Sequence, residues 1–250
     1  VSAVGWALLL GGLGAIFGSF IAALVIRWPA GRSITRGRST CDHCGRTLGP
    51  AELVPIVSFL FQRGRCRSCG APIDRGHLAI ELAALAIGAV AGAVAPGWAG
   101  VAGAVFGWLL LALAALDIVA FWLPDRLTAL LAVAGLASGA AGLAPALPDR
   151  VIGGVAGYAA LAGVAISYKA LRGREGMGGG DPKLMGAIGL WLGWRMLPAV
   201  LVIASLIGLG VALFAHLTGR HIARDTALPF GALLGVAAYP AWLAMVGLAP

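Results

Sequence analysis

Long apolar runs alternate along the chain with short polar or Pro/Gly-rich breaks, and the length of the runs decides what they are. Runs of about 20 apolar residues, the length a helix needs to cross ~30 Å of hydrocarbon, recur from one end of the sequence to the other. The breaks set off eight of them, near residues 4–26, 78–95, 98–117, 127–145, 151–169, 183–196, 198–216 and 229–248. The sixth is short, and it lies so close to the seventh that the two also read as one re-entrant pair. The first run leads into "FGSFIAALVIRWP" without a small-residue cleavage site followed by a soluble stretch, so it is expected to stay as a membrane helix. Glycines repeated at small-x-x-x-small spacing favour close helix packing. The pattern predicts an all-α polytopic membrane protein of about eight transmembrane helices, with one polar insert after the first.

Composition agrees: 60% of the 250 residues are hydrophobic and 11% charged, with a mean hydropathy of +0.94. A soluble domain does not have this balance. The net charge of +8 changes the picture through its distribution, because nine of the eighteen basic residues, all arginine, fall between Arg27 and Arg75. The positive-inside rule places that insert in the cytoplasm. No aromatic residues interleave with its arginines as a stacking platform, so nucleic acid is not expected as a partner. Alternating sides from the insert puts "APGWAG" in the periplasm and both "YKALRGREGMGGGDPK" and "HLTGRHIARDTALPF" in the cytoplasm, with "GWRMLP" the one arginine-bearing exception. The expected division is a first helix at 1–26, a cytoplasmic insert at 27–77 and a helical bundle at 78–250.

All four cysteines lie in the insert, as "CDHCG" at 41–45 and "CRSCG" at 66–70. Two such C-x-x-C knuckles bring four thiolates together around a tetrahedral zinc ion, which predicts a zinc-ribbon-like site of Cys41, Cys44, Cys66 and Cys69. Disulfides or a redox relay are the competing reading, and a reducing cytoplasm favours metal. Four thiolates leave no coordination position for water, so the zinc is expected to be structural. His43, between the first two cysteines, is expected on the surface.

Ten acidic residues are present, and most have ordinary explanations. Asp42, Glu52 and Asp74 lie in the polar insert, and Asp149 and Asp225 in short loops. Asp117, Asp125 and Asp181 are different. Asp117 ends a long apolar run in "VFGWLLLALAALDIVAFWLPDRLT", Asp125 follows Pro124 where the next run begins, and Asp181 follows three glycines in "EGMGGGDPKLMG". A carboxylate beside hydrocarbon is expensive and usually functional. Two of them from separate helices, at one depth, provide what an aspartic protease needs: a shared proton, with one group as base toward water and the other polarising the scissile carbonyl. The glycines before Asp181 are expected to adopt positive φ and to let a substrate strand lie alongside. Two other readings stay open on these residues. The pair suits ion transport, and Asp181 with Pro182 is also sound grammar for a helix start.

Taken together the motifs resemble the type IV prepilin peptidases, bifunctional leader peptidases and N-methyltransferases of the bacterial inner (cytoplasmic) membrane. The resemblance spans nearly the whole chain: "GSF" with Arg27 and Pro29, both knuckles with "RGRCRSCGAPI", Glu81, "LDIVAFWLPDRLT", "EGMGGGDPKL" and "LPFGALLG". It implies an intramembrane aspartic endopeptidase of the G-x-G-D type with Asp117 and Asp181 as catalytic residues. Asp125, Glu175, Gly178, Gly180 and Lys183 are the supporting positions of the same motifs. It further implies prepilins and type II secretion pseudopilins as substrates, cut after a glycine at the cytoplasmic face of the lipid bilayer. The new amino terminus is then methylated with S-adenosylmethionine as donor. Ala22 stands where the family's "GSFLNVVIYRLP" has asparagine, a departure that bears on methylation and leaves the peptidase motifs intact. No glycine-rich nucleotide signature marks a donor pocket. Rival classes are a carboxylate-coupled transporter with a zinc-stapled domain, and a platform that binds pilins without cutting them.

Overall fold

A computed structural model gives the fold and describes residues 2–33, 38–218 and 228–247. Arg36 of the insert, and Arg220, Arg224 and Asp225 of the last predicted loop, lie outside the described residues. The helices are α1 (Ala3–Arg27), α2 (Val57–Phe61), α3 (Arg75–Val94), α4 (Trp98–Ala120), α5 (Asp125–Ala140), α6 (Leu147–Arg172), α7 (Gly180–Leu192), α8 (Leu197–Leu217) and α9 (Phe230–Gly247). Among the described residues there is no strand, only two isolated bridges in the insert. All eight apolar runs are helices.

Among the described residues, six helices are long and apolar enough to cross a membrane: α1, α3, α4, α6, α9, and α8 together with the 3-10 turn before it. The expected count of eight crossings is not confirmed, because α5 has 16 residues and α7 only 13, short of the ~20 a crossing needs. Sequence pattern finds an apolar helix but does not separate one that spans from one enclosed by its neighbours. Outward faces are apolar where a soluble protein would be polar: Val202, Leu206, Leu209, Leu213 and Phe214 of α8 are all exposed, as suits a surface solvated by lipid.

The chain divides into two compact units, Val1–Ala112 and Leu113–Pro250, and α4 runs from one into the other. In the first, α1 lies along α3 at a separation that glycine sets. A Cβ on Gly14 would stand 2.2 Å from the Ala84 carbonyl oxygen, so no larger residue fits there. Trp108 of α4 stacks on Phe17 with ring centroids 4.9 Å apart and donates its indole N–H to the same Ala84 carbonyl at 2.9 Å.

In the second unit the short helix α7 is the most enclosed element, with ten of its thirteen residues buried. It packs against α5, α6 and α9. Its far end is tied down by Arg150 of α6, only 2% exposed. That guanidinium donates to the carbonyls of Gly135, Leu143, Ala144, Pro145 and Leu190 and to the Ser138 hydroxyl. One side chain thereby satisfies the end of α5, the α5–α6 connection and the last turn of α7, carbonyls that hydrocarbon would otherwise leave unpaired. A packed, anchored α7 gives its first residues a fixed position.

Candidate active site and metal centre

Asp117 and Asp181 line one cleft of about 810 Å³ in the second unit, within the ~300–1,000 Å³ usual for ligand sites. Each is 5% exposed. They are held by different means. Asp117, near the end of α4, accepts a hydrogen bond at 2.8 Å from the backbone N–H of Ala232, and the N–H of Gly231 is directed at the same carboxylate. Those N–H groups belong to the first turn of α9, where no helical carbonyl can accept them and the helix dipole favours an anion. Asp181 accepts from Gly178 N–H at 3.1 Å, closing the glycine turn on itself.

The glycines act differently from expectation. None of Gly178, Gly179 and Gly180 has positive φ; Gly179 sits at φ −64°. Close approach is what Gly180 provides, since a Cβ there would meet the Cβ of Leu123 at 2.8 Å. Leu123 also presses on Gly231, whose Cβ would come within 2.7 Å of its methyl and 3.0 Å of Asp117 Oδ2. One leucine is thus wedged between the starts of α7 and α9. The alternative reading of Asp181 as the cap of α7 is not what the helix start shows. The helix begins at Gly180, no side chain caps it, and the carboxylate bonds upstream into the turn that carries it.

The other motif residues fall around the pair. Asp125, the first residue of α5, forms an exposed ion pair at 2.7 Å with Lys183 of α7, beside the cleft and not in it. Glu175 lines the cleft and pairs with Lys169 at 2.9 Å, which holds its carboxyl below the usual range. Gly178 and Gly180 line the cleft with Tyr168 and Phe121. Phe121 ends α4 at φ +48°, a left-handed position normally left to glycine. Sequence reasoning missed Leu123, Phe121 and the α9 amides. "LPFGALLG" was the available signal for the amides, but a backbone donor has no side-chain identity to read.

The four cysteines form one cluster. Their sulfurs lie within 4.8 Å of one another, and Cys41 and Cys69 are 3.9 Å apart, close to the ~3.8 Å edge of a tetrahedron with Zn–S bonds of ~2.3 Å. None is in a disulfide. The knuckles are copies: Gly45 and Gly70 turn at φ +70° and +69°, and each first cysteine accepts at its carbonyl from that glycine and donates to the carbonyl beyond it. Backbone N–H groups of Cys69 and Ser68 draw the Cys66 thiol down to about 6, favouring thiolate. Despite an N–H from Ala71, burial and the neighbouring sulfurs push Cys69 up to about 11. The donor set fits a closed zinc site. His43 is exposed and outside the cluster.

Comparison with known proteins bears on both units. Residues 13–94 match the bacterial peptidase A24 N-terminal domain, and residues 104–213 match the type IV leader peptidase family. The chain is 42% identical to a prepilin leader peptidase/N-methyltransferase of Aeromonas hydrophila, over 84% of this chain and 71% of that one. A protein of the same name from Burkholderia pseudomallei (strain K96243) is 44% identical over 82% and 67%. Another, from Klebsiella pneumoniae, is 38% identical over 77% and 87%. No solved structure matches. The transporter reading finds no support here. With two domain matches end to end and relatives at this identity over most of their length, the chain belongs to the type IV leader peptidase family.

Proposed function

We propose that this chain cleaves the leader peptides of type IV prepilins and of type II secretion pseudopilins, and methylates the amino terminus that cleavage exposes. The observation that carries the reading is a pair of buried carboxylates, Asp117 and Asp181, brought from distant parts of the sequence to one cleft. One ionised carboxylate takes a proton from water while the protonated partner hydrogen-bonds the scissile carbonyl. The water adds to that carbonyl, a tetrahedral intermediate forms, and the leaving amine takes up a proton. No covalent bond to the enzyme is made. Asp125 with Lys183 ties α5 to α7, and Gly178 and Gly180 shape the turn that carries Asp181.

The bond cut is the one after the leader's last glycine, at the cytoplasmic face of the bacterial inner membrane, while the substrate's apolar helix stays in lipid. Residues 27–77 form a cytoplasmic module stapled by a structural zinc ion on Cys41, Cys44, Cys66 and Cys69. The methyl donor is S-adenosylmethionine.

The test is mass spectrometry of a purified prepilin incubated in lipid with this protein and S-adenosylmethionine. The expected product has lost its leader and gained one methyl group. Asp117→Asn and Asp181→Asn should each reduce cleavage by at least ~10³-fold while remaining folded. Substantial cleavage by both variants would remove the aspartates from the mechanism.

A further inference from the structure

The large apolar side chains exposed among the described residues of the insert are gathered in one stretch. They are Leu53, Val54, Val57, Leu60 and Phe61, the last 87% exposed. Val57, Leu60 and Phe61 stand at i, i+3 and i+4 of the one-turn helix α2 and so share a face. Ser58 and Phe59, between them, are turned the other way and line a cavity between α1, α3 and the insert. α2 is therefore two-sided, yet it sends three large apolar side chains outward, which a module bathed in water would not do without a partner for them.

A hydrogen bond fixes the depth of this face. Ile56 turns the chain at φ +64° just before α2 and donates its N–H to Glu81 Oε2 at 2.7 Å. Glu81 lies in α3, one of the helices long and apolar enough to cross a membrane. It comes six residues after Arg75, the first residue of that helix, which at ~1.5 Å per residue is about 9 Å in from the end. α1 lies alongside at the same level, since a Cβ on Gly18 would stand 2.8 Å from Glu81 Cα. Gly18 is itself nine residues before Arg27, the last of α1, or about 14 Å along the axis. α2 thus starts beside the bodies of two membrane helices and not beyond their ends. That level falls at the boundary between headgroups and acyl chains, where interfacial helices bury their apolar face by ~5–10 Å.

The flanking charge suits the same surroundings. Arg63 and Arg65 follow α2 directly and are exposed. Among the described residues neither is paired with a carboxylate. The acidic groups nearby in sequence are engaged elsewhere: Asp42 with Arg32, Glu52 with Arg46, Asp74 with the Gly76 N–H and Glu81 with Ile56. Guanidinium groups left without a protein anion at this level are attracted by anionic headgroups, whose phosphates match their planar donors.

We propose that α2 anchors the insert in the bilayer: Val57, Leu60 and Phe61 lie among lipid at the headgroup boundary, and Arg63 and Arg65 hold anionic lipid phosphates beside them. Lipid and not a protein partner covers the face, because the bond to Glu81 sets it at that depth against two membrane-crossing helices. The anchor stands independently of the peptidase and methyltransferase readings. Its consequence is positional. Cys66 follows Phe61 by five residues, so the four-cysteine cluster is tied to the membrane through α2 as well as through α1 and α3.

The test is photocrosslinking of the full-length protein in nanodiscs of equal parts phosphatidylcholine and phosphatidylglycerol. A benzophenone amino acid is placed, in separate proteins, at Phe61, at Leu60 and, as reference, at His43, an exposed polar position of the same insert, and mass spectrometry reads the adducts. The positions of Phe61 and Leu60 should each give lipid adducts at least fivefold more often than that of His43, enriched at least twofold in phosphatidylglycerol over its share of the bilayer. Arg63→Gln with Arg65→Gln should remove the enrichment and leave the lipid adducts. Lipid adducts no more frequent than at His43, or adducts only to a second copy of the chain or to added prepilin, would overturn the anchor. Lipid adducts without enrichment, or enrichment that survives the loss of both arginines, would overturn the role given to Arg63 and Arg65.

Discussion

Gly180→Ala is the substitution whose effect follows most directly from the geometry. The new Cβ would lie 2.8 Å from Leu123 Cβ and 3.1 Å from its Cδ1, where carbon atoms normally rest ~3.5–4.0 Å apart. A leucine methyl can rotate away, but a Cβ is fixed to its backbone, so relief requires the start of α7 to withdraw from the segment after α4 by about 1 Å. Asp181 is the next residue and moves with it. A misplacement of about 1 Å can cost ~10²-fold in rate, or ~2.7 kcal/mol of transition-state stabilisation. Stability should change little, because alanine is a better helix former than glycine by up to ~1 kcal/mol and offsets part of the crowding. The expected result is a large fall in kcat for prepilin cleavage, with the detergent melting temperature within a few degrees of wild type. Gly179→Ala is the control. Nothing lies within 4 Å of a Cβ at that position, its φ of −64° is ordinary, and its cleavage rate should stay within twofold of wild type. If Gly180→Ala also cleaves within twofold, or if Gly179→Ala is equally damaging, close approach to Leu123 does not set the position of Asp181.

Two more predictions concern stability. Arg150→Met removes the donor for five carbonyls at once, and stranding buried acceptors in this way should destabilise the protein by ~3–5 kcal/mol; Arg150→Lys should not restore it, because one ammonium has three donors and no planar fork, and a melting temperature unchanged by either variant would refute the clamp. Removing metal with a strong chelator, or substituting Cys66→Ser, should lower the melting temperature and release zinc measurable by elemental analysis, with about one ion per wild-type chain; freshly purified protein without metal would refute the site.

The sequence made the helices legible and left much of the site hidden, for identifiable reasons. Apolar length is a local property, and all eight runs became helices at nearly the expected residues. The cysteine knuckles were equally readable, because C-x-x-C-G sets a local turn and four thiolates have few other uses in one place. Crossing number was less readable, since it depends on what surrounds a helix: α7 is apolar because it is enclosed by other helices. The glycines before Asp181 were expected to supply positive φ. They instead supply room against Leu123, a residue nearly sixty positions away that no local rule selects.

The same distinction explains how the two aspartates are held. Asp181 takes its hydrogen bond from Gly178, three residues away, and "GGGD" announces it. Asp117 takes its bond from Ala232, 115 residues away, through a backbone N–H that any residue but proline would offer. The sequence constraint therefore appears beside the donor and not at it: Gly231 must lack a side chain so that the start of α9 can approach Asp117 and Leu123 together. A carboxylate at the end of one membrane helix is thus held by the amino-terminal end of another. For two acidic groups to share a cleft bordered by hydrocarbon, such backbone donors are the economical choice, because they favour the charged form without adding another ionisable side chain to the membrane.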